Sequence, residues 1–287
     1  MLKILVTGSN GQLGNSIRFI EKQYPNFEFI FTDVDELDIS NSQHLDRFFK
    51  DKRPDYLINC AAYTAVDKAE SDYELALELN STACSYLAEA CKKYNSTLIH
   101  ISTDFVFDGN KNQPYTEVDK TNPVSAYGKT KLEGEEQIKS WLDNFIIIRT
   151  AWLYSEYGGN FVKTIMKKGA ELGQLRVVYN QVGTPTYAPD LANSILDMIS
   201  AKCFVSGVFH YTNEGVISWY DFAKAIIEIA EIKCTIEPVP SVEYPTPASR
   251  PNYSVLNKEK IKKAYTQNIP YWRDSLTKCI ENLMKKN

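Results

Sequence analysis

The feature that most constrains this 287-residue chain is an alternation. Short apolar runs at residues 2–6, 27–31, 56–59, 97–102 and 145–148 are interleaved with segments whose apolar positions recur at helical spacing, at 12–22, 44–51, 75–91 and 126–142. In the third of these segments Leu75, Leu79, Ala83, Tyr86, Leu87 and Ala90 form one stripe. Runs such as Phe145-Ile146-Ile147-Ile148 are apolar on both sides, so both of their faces must be covered. Helices on both faces of a parallel sheet supply that cover, and the expectation is an α/β fold built on a Rossmann-type doubly wound parallel sheet. After Arg149 the pattern loosens, with helices expected at 160–172, 190–200 and 219–231 and strands near Val177 and Val208. Pro238, Pro240, Pro245, Pro247 and Pro251 fit neither a central strand nor a helix interior, so residues 237–251 read as an irregular connection packed over a site, or as a plain linker. A chain of this length sits near the size at which one core divides into two. A smaller, mixed α/β C-terminal domain is therefore expected beside the large one. Lys285 and Lys286 read as a solvated helix end.

Between the first run and the first helical segment stands Gly8-Ser9-Asn10-Gly11-Gln12-Leu13-Gly14. Glycines at this spacing permit a tight turn and let backbone N–H groups approach a pyrophosphate at the positive end of a helix. The strand-turn-helix context points to a dinucleotide site rather than a purely structural turn. Asp33 closes the second run, where a carboxylate can accept hydrogen bonds from an adenosine ribose, and the competing reading is a turn cap. Asp38-Ile39 is expected in a loop near the adenine. Asn59-Cys60-Ala61-Ala62-Tyr63-Thr64 ends the third run with small residues that leave room for a cofactor, although small residues also suit helix packing.

Tyr127 and Lys131 lie one helical turn apart, hence on one face. A nearby ammonium stabilises a phenolate and lowers the tyrosine's pKa from about 10, which makes such a pair a proton-transfer device. Spacing alone also fits an ordinary surface pair; the glycine turn earlier in the chain favours the catalytic reading. Ser102-Thr103-Asp104 ends the fourth run, so a Thr103 hydroxyl is expected at the same sheet edge, either orienting a substrate oxygen or capping a local turn.

Composition removes other classes. With 32 Lys plus Arg against 36 Asp plus Glu, the net charge of -4 gives no general pull toward nucleic acid or an anionic membrane. No apolar run reaches the roughly 18 residues of a membrane span, and the N-terminal run leads into glycine with no room for a signal-peptide core. The six cysteines show no C-x-x-C pair, and the three histidines show no metal-ligand spacing. A reduced cytoplasmic protein without a metal site is expected.

Taken together, these strings resemble the extended short-chain dehydrogenase/reductase family and, within it, the dTDP-4-dehydrorhamnose reductases. The resemblance runs through Gly8 to Gly14, Asn59 to Glu70, Ser102 to Gly109, Tyr127 to Lys131, Arg149 to Tyr154 and Pro245 to Pro251, in the family's order. It implies a catalytic trio of Thr103, Tyr127 and Lys131 with Tyr127 as acid. It also implies a cofactor, NADH or NADPH, lined by Gly8, Gly11, Gln12, Leu13, Gly14, Asp33, Asp38, Ile39, Ala61, Ala62, Tyr63, Thr64, Tyr127 and Lys131. Thr103, Asp104 and Trp152 would meet the sugar, and Arg250 the diphosphate of a nucleotide-sugar substrate; Trp152 as core filler and Arg250 as a structural ion-pair partner are the alternatives. On this reading residues 1–153, with 188–220 returning, bind the dinucleotide, and 154–287 mostly bind substrate. Some family members form a magnesium-bridged dimer through glutamates; the matching stretches here, Gly14-Asn15-Ser16 and Ala188-Pro189-Asp190, lack them, so a monomer or a metal-free homodimer is expected. The rivals are a nucleotide-sugar epimerase or dehydratase, and a non-catalytic nucleotide-binding subunit resembling the β subunit of methionine adenosyltransferase. Against a dehydratase, Phe105 stands where an acid is needed after Thr103-Asp104.

Overall fold

The computed structural model describes residues 1–201 and 203–285; Lys286 of the expected solvated end lies outside them. The first half contains β1 (Leu2–Thr7), α1 (Gln12–Ile20), β2 (Phe27–Phe31), α2 (Ser42–Lys52), β3 (Tyr56–Asn59), α3 (Tyr73–Leu77), α4 (Ala83–Tyr94), β4 (Thr97–Thr103), α5 (Ala126–Trp141) and β5 (Phe145–Thr150). The second half adds β6 (Leu153–Tyr154), α6 (Phe161–Leu172), β7 (Gln174–Val178), β8 (Val182–Gly183), β9 (Thr186–Tyr187), α7 (Ala188–Ser200), β10 (Gly207–His210), β11 (Ile217–Ser218), α8 (Trp219–Ile229), β12 (Thr235–Val239), α9 (Glu259–Tyr265) and α10 (Trp272–Lys285).

One six-stranded sheet in the order β10-β5-β4-β3-β1-β2, parallel at every pairing, forms the centre. The period-2 alternation of side chains divides its apolar residues between two cores. Ile4, Val6, Ile58, Ile99 and Ile148 pack with Leu13 and Ile17 of α1 and Leu191 and Ile195 of α7 on one face. Leu5, Leu57, Leu98 and Ile147 pack with Phe49 of α2, Leu87 of α4 and Ile138 of α5 on the other. Both faces are thus covered, as the doubly apolar runs require. A separate core in the second half gathers Val162, Val177, Phe222, Ile226, Trp272 and Leu276.

Two expectations need correction. The helix expected at 75–91 is interrupted by a π turn at Glu78–Thr82 between α3 and α4. Across the packing interface, α5 brings Gly134 against the Asn80 carbonyl of this turn so closely that a Cβ could not fit. The irregular segment starts later than proline content suggested: Pro238 lies inside β12, opposite Val177 of β7. That pair is a two-stranded sheet, so the missing N–H of Pro238 can face outward on an edge. From Pro240 onward the segment is irregular, and it crosses back to the first half, where Asn257 N–H donates to the Tyr115 carbonyl and Tyr115 N–H to that of Val255.

Candidate active site

The strand ends converge at one edge of the sheet, and the glycine turn is shaped by contacts with the next strands. Gly8 has φ +62°, and a Cβ there would lie 2.6 Å from the Ala61 nitrogen. A Cβ on Gly14 would collide with the Ser9 backbone. Gly11 caps α1, with no side chain accepting from the first-turn N–H groups and no acid in that turn. Unpartnered amides at a helix start, under a turn that excludes side chains, suit a pyrophosphate. Asp33 accepts from the Asn10 and Val34 amides, both at 2.9 Å, so this carboxylate also staples the turn. Asp38 accepts from the amide and hydroxyl of Ser40. Ile39 and Leu13 are buried in core contacts, leaving their backbones for any cofactor contact. Gln12 reaches the second half, donating to the Leu153 carbonyl at 3.3 Å and accepting from Ser155 at 3.1 Å and Asn160 at 2.9 Å.

After β3, Ala61 N–H donates to Asn59 Oδ1 at 3.2 Å. Tyr63 is held through its amide by Asn80 Oδ1 at 2.9 Å and through its hydroxyl by Asp72 at 3.0 Å. Ala62 and Thr64 follow in the same irregular segment and are partly or fully exposed.

The start of α5 carries the tyrosine. Ser125 caps the helix by accepting from Gly128 N–H at 3.1 Å, and Glu70 accepts from Ala126 N–H at 2.8 Å. This places the half-buried Tyr127 edge-on against Phe105, ring centroids 5.6 Å apart, beside the turn that Thr103 caps. Thr103 bears out the local-cap reading: it caps the turn Asp104–Val106 through Phe105 N–H, and its hydroxyl lies 3.1 Å from Asp104 Oδ1. Burial pushes the Tyr127 hydroxyl up to about 12, against the Thr103 hydroxyl and with the help of the Asp104 charge. Lys131 does not act on it as spacing suggested. Its Nζ turns inward, 2.7 Å from the Ile101 carbonyl and 3.2 Å from His100 Nε2. Burial also pushes Asp104 up to about 6, outweighing the Ser254 and Thr103 hydroxyls that favour its charge.

Trp152 has φ +48° and stacks on Trp219 with centroids 3.6 Å apart, against the second core. Arg250 forks onto Asp67 at 2.8 and 3.0 Å, and Ala248 N–H joins the same carboxylate. The irregular segment is thereby clasped to the loop after β3. Sequence reasoning missed Asn59, His100, Asn80, Ser254, Asp67 as Arg250's partner, and the buried Arg149–Glu135 pair, which takes a Ser102 hydroxyl at 2.6 Å. The available signal for His100 was a polar residue in the middle of an apolar strand.

The model of the RmlD substrate binding domain family matches residues 2–285. The chain belongs to this family. At 40% identity it is similar to a dTDP-4-dehydrorhamnose reductase of Aggregatibacter actinomycetemcomitans, over 96% of this chain and 97% of that protein. A solved dTDP-4-dehydrorhamnose reductase of Clostridium acetobutylicum superposes with a TM-score of 0.94 at 45% identity, covering 99% of this chain and 100% of that one. Another, from Bacillus anthracis in complex with NADP, gives 0.93 at 34% identity, covering 98% and 100%. Membership of the RmlD family accounts for the order of the motifs along the chain.

Proposed function

We propose that the protein reduces the 4-keto group of dTDP-4-dehydro-L-rhamnose with NADH or NADPH, giving dTDP-L-rhamnose for surface-polysaccharide precursors. The observation that carries this reading is Tyr127 packed edge-on against Phe105, beside the turn that Thr103 caps and Asp104 begins, in a chain of this family whose first glycine turn excludes side chains. The bound nicotinamide supplies the hydride. Tyr127 holds its proton at neutral pH and delivers it to the carbonyl oxygen as negative charge develops there. Thr103 orients that oxygen. Lys131, anchored on the Ile101 carbonyl, has donors left for the nicotinamide ribose. Asp104 and Trp152 face the sugar. Arg250 keeps Asp67 while its Nε, uncommitted among the described residues, meets the diphosphate, where guanidinium geometry is suitable.

Gly8, Gly11 and Gly14 hold the pyrophosphate with the Gln12 and Leu13 amides, Asp33 the ribose, and Asp38, Ile39, Ala61, Ala62, Tyr63 and Thr64 the adenosine side. Residues 1–153 with 188–220 form the dinucleotide-binding domain, supported by β10 joining the central sheet and α7 packing in its core. Residues 154–287 mostly receive the substrate. Among the described residues no helix is long and apolar enough to cross a membrane. The reductase acts in the cytoplasm as a monomer or a homodimer without a bridging metal. The test is nicotinamide absorbance with enzymatically made dTDP-4-dehydro-L-rhamnose: oxidation stoichiometric with sugar is expected. No oxidation, or tightly bound non-exchanging NAD as in an epimerase, would overturn the assignment.

A further inference from the structure

His100 lies in β4, fully buried, with both ring nitrogens engaged. Its tautomer can be worked out from obligatory donors. Ala61 N–H points at one oxygen-type atom of Asn59 at 3.2 Å, and the Thr7 hydroxyl lies 2.7 Å from the same atom. A backbone N–H can only donate, so that atom is Oδ1 and the amide cannot be flipped. Asn59 Nδ2 therefore faces His100 Nδ1 at 3.0 Å and donates to it. The Cys84 thiol donates elsewhere, to the Asn80 carbonyl, and its sulfur is 3.9 Å from Nδ1. Nδ1 is thus the acceptor of the ring, and the proton of neutral His100 sits on Nε2.

That proton faces Lys131 Nζ at 3.2 Å. An ammonium has donors only, so Nε2–H and a charged Lys131 meet donor to donor, whereas a neutral amine can accept. We propose that His100 is a positioning residue for the reductase reaction: locked by Asn59 with its proton on Nε2, it opposes the ammonium form of Lys131 and so sets the pH at which this lysine loses its charge.

Cys84 on α4, Glu135 one turn along α5 and Cys60 after β3 face Lys131 and favour its charged form, against burial and the His100 contact. Burial holds the two thiols up at about 11 and about 12, and Glu135 is already bidentate to Arg149. Tyr127 on the same helix keeps its proton to about 12, and Asp104 acts on Tyr127. Burial displaces Lys131 downward in the same sense as the His100 contact.

This inference deepens the proposed reaction and rests on it for the role of Lys131, but its first test needs no substrate. In protein labelled with ¹⁵N-histidine, the ring nitrogens of His100, assigned by their loss in His100→Gln, should show a protonated Nε2 and an unprotonated Nδ1. A protonated Nδ1 would overturn the proposal even if the enzyme is active. The second test is the alkaline limb of kcat/KM. His100→Gln can turn its side-chain oxygen to Lys131, and the limb should move up by about one pH unit or more. An unmoved limb with altered KM alone would mean that His100 only fills space. Should His100→Gln fail to fold, His44→Gln and His210→Gln assign the remaining signals by elimination, and the tautomer decides. The Nε2 tautomer in a protein that oxidises no nicotinamide would overturn the reaction assignment instead.

Discussion

Burial acts in the same direction on Tyr127 and Asp104, and the consequences differ. For Tyr127 it keeps the proton in place up to about pH 12, so the resting group is an acid ready to donate. Tyr127→Phe keeps the ring and its contact with Phe105 but removes that proton. We expect kcat to fall by roughly 10² to 10⁴, with nicotinamide affinity by fluorescence titration little changed; near-normal turnover would remove Tyr127 from its role. Asp104, by contrast, is destabilising when charged. Its folded pKa of about 6 lies above the ordinary 3.8, so the folded protein binds a proton that the unfolded chain has released. Stability therefore falls as pH rises from about 4 to 6 and stays reduced above that, by at most about 3 kcal/mol. Asp104→Asn, which keeps an acceptor for Thr103, should be more stable than the parent in urea at pH 7.5. The gap should nearly close at pH 4, while KM for the sugar rises. A gap independent of pH would show that charge burial at Asp104 is not its origin.

Among elements, α5 carries the acid, and its position depends on three contacts. Ser125 and Glu70 hold its first turn, and Gly134 lets it lie against the π turn of Asn80. Asn80 in turn fastens Tyr63 and donates to Thr130 on α5. In an exposed helix, alanine is favoured over glycine by about 1 kcal/mol. Gly134→Ala should reverse that sign, destabilising by about 1 to 3 kcal/mol in urea, because the added carbon meets the Asn80 carbonyl. Gly159→Ala, where a Cβ meets nothing within 4 Å, is the control and should be near neutral. Equal effects at the two sites would mean that the close approach does not control α5. Helical periodicity over 75–91 could not reveal the π turn, because the turn's closest packing partner, Gly134, lies on another helix.

Across the whole molecule, the contacts that join the halves around the site include Gln12 to 153–160, Asp67 to Arg250 and Ala248, and Tyr115 to the stretch 255–257. Asp190, an acid near the missing glutamates, is already engaged by Asn213 and Ser275. Chelation with EDTA should therefore leave both elution volume and turnover unchanged, because proton donation by Tyr127 and orientation by Thr103 need no Lewis acid. A dimer that dissociates with EDTA and reforms with magnesium would contradict this.

The sequence by itself determined the doubly covered parallel sheet, since runs apolar on both faces have few other solutions, and it determined the strand-turn-helix around Gly8 to Gly14. It also brought Tyr127 and Lys131 to one helix face, because that relation is local. Which way Lys131 turns, whether burial or a neighbouring charge governs Tyr127, how Arg250 is held, and the tautomer of His100 were decided only by the tertiary structure. Each depends on a partner far along the chain, such as Asn59 for His100 or Asp67 for Arg250, and hydrogen-bond geometry between such partners leaves no periodic trace.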